Sequence, residues 1–296
     1  MTTFASPPPT ITTTGSSAPP PLTPHGRSAV RVLLVIAATV LTVGSLVALV
    51  AIALGINSVR VSTDSKVLPE GMTSLSIDAA DATVRVTTDP SAESPRVALR
   101  MLNSTRGGRQ QLQVTSQPGG TRIEVTPASP AFMDWGRTGE VTVTLPPALA
   151  EGLTVNVRQD DGTLAIDAGL DRLAARTVDG NIVLNGTAHR IDVTTEDGDI
   201  VAPRAISVTQ SFNAETRDGD VRVRFGPDVP KTIDAVSRGG DVTVGLPDQG
   251  PYLVRASGGD RTDVRVPETT DPGAAASEVM VRSDSGNVVV GADPHR

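Results

Sequence analysis

The 296-residue chain has no cysteine, which excludes a disulfide framework, an iron–sulfur cluster, a thiolate zinc site and a cysteine nucleophile. One Trp, one Tyr and four Phe make it 2% aromatic, too little for a base-stacking platform or an aromatic shelf for sugars. His25, His189 and His295 are the three histidines. Two sit near the chain ends, so a histidine metal centre or a histidine-based triad is not expected. The formal net charge of −7 argues against phosphate as a ligand and against a nucleic-acid partner. No Asp or Glu precedes Asp64, and beyond position 56 there are 24 basic against 33 acidic residues.

The chain holds one long uncharged run, Val32 to Leu54, built from Val, Leu, Ile and Ala. As a helix it reaches roughly 35 Å, enough for a hydrocarbon core of about 30 Å. It is longer and later than the core of a signal peptide, although Ala51-Ile52-Ala53 resembles a cleavage site. We read 29–56 as a transmembrane helix whose residues 32–54 have the lipid bilayer as partner. The 1–28 segment, with Pro7 to Pro9, Thr12 to Thr14 and Pro19 to Pro21, reads as a disordered tail. Arg27 and Arg31 flank one end of the run and Arg60 and Lys66 the other. Basic residues therefore do not orient it. The order of short tail, span and large domain does, placing the N-terminus in the cytoplasm and the C-terminal domain outside the cell membrane.

The C-terminal half is repetitive. Gly162, Gly180, Gly198, Gly219, Gly240, Gly259 and Gly286 stand in seven similar contexts, mostly Asp-Gly-Asp/Asn-like, spaced 18, 18, 21, 21, 19 and 27 residues apart. Asp, Asn and Gly here are turn residues with a mechanism: local backbone hydrogen bonding and freedom at positive φ. Seven residues before each glycine stand Val155, Leu173, Ile191, Phe212, Ile233, Tyr252 and Val279. Five before stand Val157, Ala175, Val193, Ala214, Ala235, Val254 and Val281. Alternating apolar residues resume after the turn, so each unit reads strand, turn, strand with one apolar face. The sixth copy is shifted, with Val264 and Val266 following a loop of about two extra residues. Three before the glycine the column is Gln159, Thr177, Thr195, Thr216, Ser237, Ala256 and Ser283, which predicts a tight inner corner.

Two all-β architectures fit: a parallel β-solenoid with one 18–21-residue unit per coil, and an antiparallel sheet of hairpins. The solenoid is preferred because it stacks each column on itself. Leu75, Ile77, Ala79, Ala82, Val84 and Val86 form a degenerate upstream copy with Ala82 in the glycine column. The expected organisation is a linker at 57–69, an irregular β cap at 70–150, the repeat at 151–291 and a disordered end at 292–296.

One apolar span followed by Ser/Thr-x-Asp-Gly-Asp/Asn-Ile/Val-x-Val units at this spacing resembles the bacterial putative-adhesin family, the DUF4097 type of domain of unknown function. The resemblance covers roughly residues 70–290. It implies a membrane-tethered, extracytoplasmic β-solenoid, in some cases associated with envelope-stress operons.

Stacked coils would align Asp161, Asp179, Asp197 and Asp218 before the glycine and Asp199, Asp220, Asp241 and Asp260 after it. At about 4.8 Å between rungs like charges repel or recruit a hard cation. The favoured reading is solvated turn carboxylates. The other is a calcium ladder through Asp179, Asp197, Asp199, Asp218, Asp220 and Asp241. No catalytic or cofactor-binding residue is expected, and His189 reads as a solvated corner residue. Trp135 reads as an apolar plug over one end, or else as an exposed contact loop. The functional expectation is a non-enzymatic, membrane-anchored adhesin or envelope scaffold with a protein or glycan ligand. The alternatives are an envelope-stress sensor and a polysaccharide-active enzyme.

Overall fold

The computed structural model describes residues 38, 41, 42, 45, 59–104, 111–126 and 139–292. The chain divides into Met1–Ser58 and Val59–Arg296. In the first unit Ala38, Leu41, Thr42 and Ser45 are helical. There the Thr42 hydroxyl donates to the Ala38 carbonyl at 2.6 Å and the Ser45 hydroxyl to that of Leu41 at 2.6 Å. The rest of the expected 32–54 span, the 1–28 tail and Trp135 lie outside the described residues. Among the described residues no helix is long and apolar enough to cross a membrane.

The second unit is all-β and open. Its strands are β1 (Val59–Val67), β2 (Ser74–Ala79), β3 (Ala82–Thr88), β4 (Arg96–Ser104), β5 (Gln111–Gln117), β6 (Gly120–Thr126) and β7 (Gly139–Leu145). After a helical turn at Pro147–Ala150 come β8 (Thr154–Asp197), β9 (Ile200–Val201), β10 (Ser207–Asp218), β11 (Val221–Arg224), β12 (Thr232–Ser237) and β13 (Val242–Gly245). The last are β14 (Leu253–Ser257), β15 (Arg261–Arg265), β16 (Glu278–Ser283) and β17 (Asn287–Gly291).

Across the repeat, corresponding strands pair in parallel. Ile191 faces Phe212, Phe212 faces Ile233 and Ile233 faces Val279. Val221 lies between Ile200 and Val242. The Asp-Gly turns therefore do not close antiparallel hairpins; each passes the chain from one parallel ladder to the next. The alternating apolar columns point inward: Val155, Val193, Ala214, Ala235 and Val279 have no exposed surface. Burying each such Val, Leu or Ile stabilises the fold by about 1.5–3 kcal/mol relative to exposure. Phe212 and Phe225 meet edge-to-face in this core, ring centroids 5.2 Å apart.

The degenerate upstream copy stacks in the same way, Leu75 on Val155 and Ile77 on Val157. On its other side β6 and β7 form a further parallel rung. The expected irregular cap therefore begins by continuing the stack, and only then do antiparallel partners close that end: β5 on β6, β4 on β7 and β1 on β4. Residues 57–69, read from sequence as a linker, contain β1, which lines up along the whole of β4.

At the other end rung order departs from sequence order. β16 and β17 lie between β12–β13 and β14–β15, paired in parallel on both edges. The sixth repeat is thus outermost and the seventh inside it. The sixth is shifted by two residues before its turn, where Val254 faces Val279 and Ala256 faces Val281, and by one after it, where Thr262 faces Val288 and Val264 faces Val290, so Tyr252, Val254 and Ala256 leave the columns their spacing predicts. A threonine there occupies an apolar column, and Val254, Ala256, Val264 and Val266 remain only partly buried.

Candidate functional site

The turn columns hold most of the chain's repeated polar groups, and the structure gives each column a different task. Six of the seven repeat glycines stack on one another, while Gly259 lies instead against the backbone of Asp284 and Ser285. A Cβ at Gly219 would lie 2.1 Å from the Gly198 carbonyl oxygen, and one at Gly180, Gly198, Gly240 or Gly286 would meet the neighbouring glycine carbonyl at 2.1–2.3 Å. Gly219 also has φ of +154°, so both conformation and clearance require glycine there.

The corner residues Gln159, Thr177, Thr195, Thr216, Ser237 and Ser283 are all buried. Small volume explains only part of the column. Thr216 donates its hydroxyl to the Gly198 carbonyl at 2.9 Å, Ser237 to that of Gly219 at 2.8 Å and Ser283 to that of Gly240 at 2.7 Å. Each hydroxyl satisfies a turn carbonyl one rung away, where the backbone ladder lapses. Gln159, the long exception, reaches the Ala82 carbonyl with its amide at 2.9 Å, bridging to the degenerate copy.

The residue after each glycine forms a third ladder. The Asp199 backbone N–H donates to Asn181 Oδ1 at 2.8 Å, that of Asp220 to Asp199 Oδ1 at 2.8 Å, that of Asp241 to Asp220 Oδ1 at 2.7 Å and that of Asn287 to Asp241 Oδ1 at 2.8 Å. Asp260, expected in the same column, instead donates its backbone N–H to the Gly286 carbonyl. Arg222 pairs with Asp220 and lies 3.9 Å from Asp199. The carboxylates of the proposed calcium ladder thus accept from backbone amides in one column, while Asp179, Asp197 and Asp218 are solvent-exposed in the other. Among the described residues no group of three or more His, Asp or Glu side chains is arranged to hold a metal ion.

Sequence reasoning missed two carboxylates. Asp234 sits between Asn213 and Met280 in an outward column. Its Oδ1 is buried without a hydrogen-bond partner, and burial, with the nearby Glu215 charge, pushes its carboxyl above the usual range. Asp263 is held below that range by the Arg265 guanidinium bonded to it, with Arg261 adding attraction. Asp234 shares its phase with Asp192 and Asn213, six residues before the turn glycine, a polar outward column readable in the sequence; no such recurrence marks Asp263. His189 Nδ1 lies 3.1 Å from Asp171 Oδ1, both side chains about half exposed. Ala174 leaves a depression of about 410 Å³ on the outer sheet face, bordered by Asp78, Arg122, Asn156, Arg158, Arg176 and Asp192. It brings together charges of both signs and supplies a contact surface without an acid–base pair.

Residues 150–291 match the family model described as Toastrack DUF4097. No curated protein matches the sequence. Among solved structures, the chain is similar to a putative cell adhesion protein from Clostridium sporogenes, at 12% identity over 78% of this chain and 99% of that one, TM-score 0.38. A putative adhesin from Bacteroides fragilis is 11% identical over 78% and 97%, TM-score 0.39. A putative lipid binding protein from Parabacteroides distasonis is 7% identical over 78% and 96%, TM-score 0.33. The glycine, hydroxyl and Asx columns of residues 150–291 thus fall within the segment that the Toastrack DUF4097 model matches.

Proposed function

We propose that this protein is a non-enzymatic, membrane-anchored β-solenoid whose coiled domain stands outside the cell as an adhesin or envelope scaffold. The observation that carries the reading is the use of the repeated polar groups. Hydroxyls and carboxylates that could serve chemistry are engaged in holding turn to turn. What they leave free is extended outer sheet surface. Such a surface, with its pattern of Arg, Asp and Asn, suits recognition of a protein or glycan better than turnover of one.

The anchor rests on the uncharged 32–54 run, and β1 begins five residues beyond it at Val59. Intact cells treated with protease should lose 60–296 while keeping the N-terminal tail. Digestion that occurs only after lysis would reverse the topology. Cells displaying the protein should bind their target surface whether or not residues 1–28 are present. Loss of binding on that deletion, with the domain still displayed, would favour the envelope-stress sensor instead.

A further inference from the structure

The last two repeats form a block that is joined to the rest of the domain by one rung. β14 and β15 pair only with β16 and β17, and make no ladder with β12 or β13. β16 and β17 carry the junction. Val279, Val281, Val288 and Val290 are at most 1% exposed, Ser283 donates to the Gly240 carbonyl, and Asn287 donates from its backbone and side-chain N–H groups to Asp241 Oδ1. The chain leaves β13 at Gly245, runs through Leu246–Pro251 past the rung that β16 and β17 occupy, forms β14 and β15 on its far side, and returns through β16 and β17 between the two.

We propose that Tyr252–Gly291 is an exchangeable docking block: its β16–β17 edge fits the β12–β13 edge of a second copy of this chain as it fits its own. The partner surface is fully specified by the fold. It comprises two strand edges in parallel register, the Gly240 carbonyl, the Asp241 carboxylate and the apolar columns of Ile233 and Val242. Exchange leaves the β14–β16 and β15–β17 ladders intact within the donor and re-forms β12–β16 and β13–β17 between copies. The segment that must re-route, Leu246–Pro251, is short and contains Pro247, Gly250 and Pro251. A short connection between elements that can close the same ladders within one chain or between two is the setting of domain exchange. The inference concerns assembly and does not depend on what the outer faces bind.

The absence of native cysteine makes the test clean. Val236 faces Arg282 across the β12–β16 ladder, and Arg255 faces Met280 across β14–β16 inside the block. Adjacent parallel positions lie about 4.8 Å apart, within disulfide reach. The full-length double variants V236C/R282C and R255C/M280C are unfolded, refolded over a range of concentrations, oxidised and run without reductant. For a short hinge the effective concentration is on the order of mM. V236C/R282C should therefore give about 1% linked dimer near 10 µM and about half near 1 mM, while R255C/M280C stays within one chain throughout. Only intrachain V236C/R282C links at every concentration, or interchain links in R255C/M280C, would overturn the proposal. A measurement without substitutions guards against misfolded variants: tagged and untagged wild-type chains, co-refolded at high concentration, should co-purify. If they separate, there is no exchange.

Discussion

Asp220 Oδ1 accepts the backbone N–H of Asp241, one rung further on, at 2.7 Å. The same relation runs from Asn181 to Asn287, with asparagine at both ends and aspartate between. What the column requires is therefore an acceptor oxygen in a fixed place, and charge is incidental to it.

Asp220→Ala should accordingly lower stability by about 1–2 kcal/mol, through the orphaned Asp241 amide. Asp220→Asn should cost less than about 1 kcal/mol, since it loses only the partly exposed pairing to Arg222. Chemical denaturation of the three proteins gives the comparison. Calcium and chelator should leave the melting temperature of the parent unchanged; a rise with calcium would restore the cation ladder.

The glycine stack predicts a steep position dependence. Gly219→Ala forces a Cβ to 2.1 Å from the Gly198 oxygen at φ of +154°, and should cost about 3 kcal/mol or more. Gly71→Ala, where nothing lies within 4 Å, should change stability by less than about 0.5 kcal/mol. Equal effects at the two sites would remove the close approach from the account.

The hydroxyl column makes a similar contrast between chemically identical changes. Thr216→Val removes the donor to Gly198 and should destabilise by about 1 kcal/mol. The Thr177 hydroxyl is buried with no partner, so Thr177→Val should be neutral or stabilising. Thermal or urea unfolding separates them.

Asp234 predicts a pH dependence. Its folded pKa is raised above 3.8 by burial, with Glu215 adding repulsion, so as pH climbs the unfolded chain ionises first. The contribution to stability is fully present below pH 3.8 and is lost as pH rises through the folded pKa. Asp234→Asn removes that loss. It should stabilise by about 1 kcal/mol or less at pH 7, given the site's solvent screening, and by nothing near pH 3. A gain that is the same at both values would assign the effect to packing.

Much of this architecture was legible because parallel rungs in register stack each column on itself. Val155, Leu173, Ile191 and Phe212 recur at one phase, and so do Gly180, Gly198 and Gly219. Register follows from phase even without contacts. The Asn at 181 and 287 is the sign in the sequence that the post-glycine column needs an oxygen and not a charge. The leapfrogged order of the last two repeats leaves no local mark. Val279 and Val254 carry the same pattern whichever lies inside, and only their unequal burial separates them. The short polar stretch around Ser62–Ser65 carried no alternation strong enough to announce β1, whose place is set by its antiparallel partner β4.

Successive repeats lie side by side, and a distance tests that directly. Asp192, Asn213, Asp234 and Met280 occupy consecutive parallel rungs, so the backbones at 192 and 280 lie about 14 Å apart at three strand spacings. Spin labels on a D192C/M280C variant, the only cysteines in the chain, should report a short distance centred near that value. A sheet of hairpins in sequence order would separate the same positions by about 38 Å, and a distance in that range would contradict the stacked-coil account.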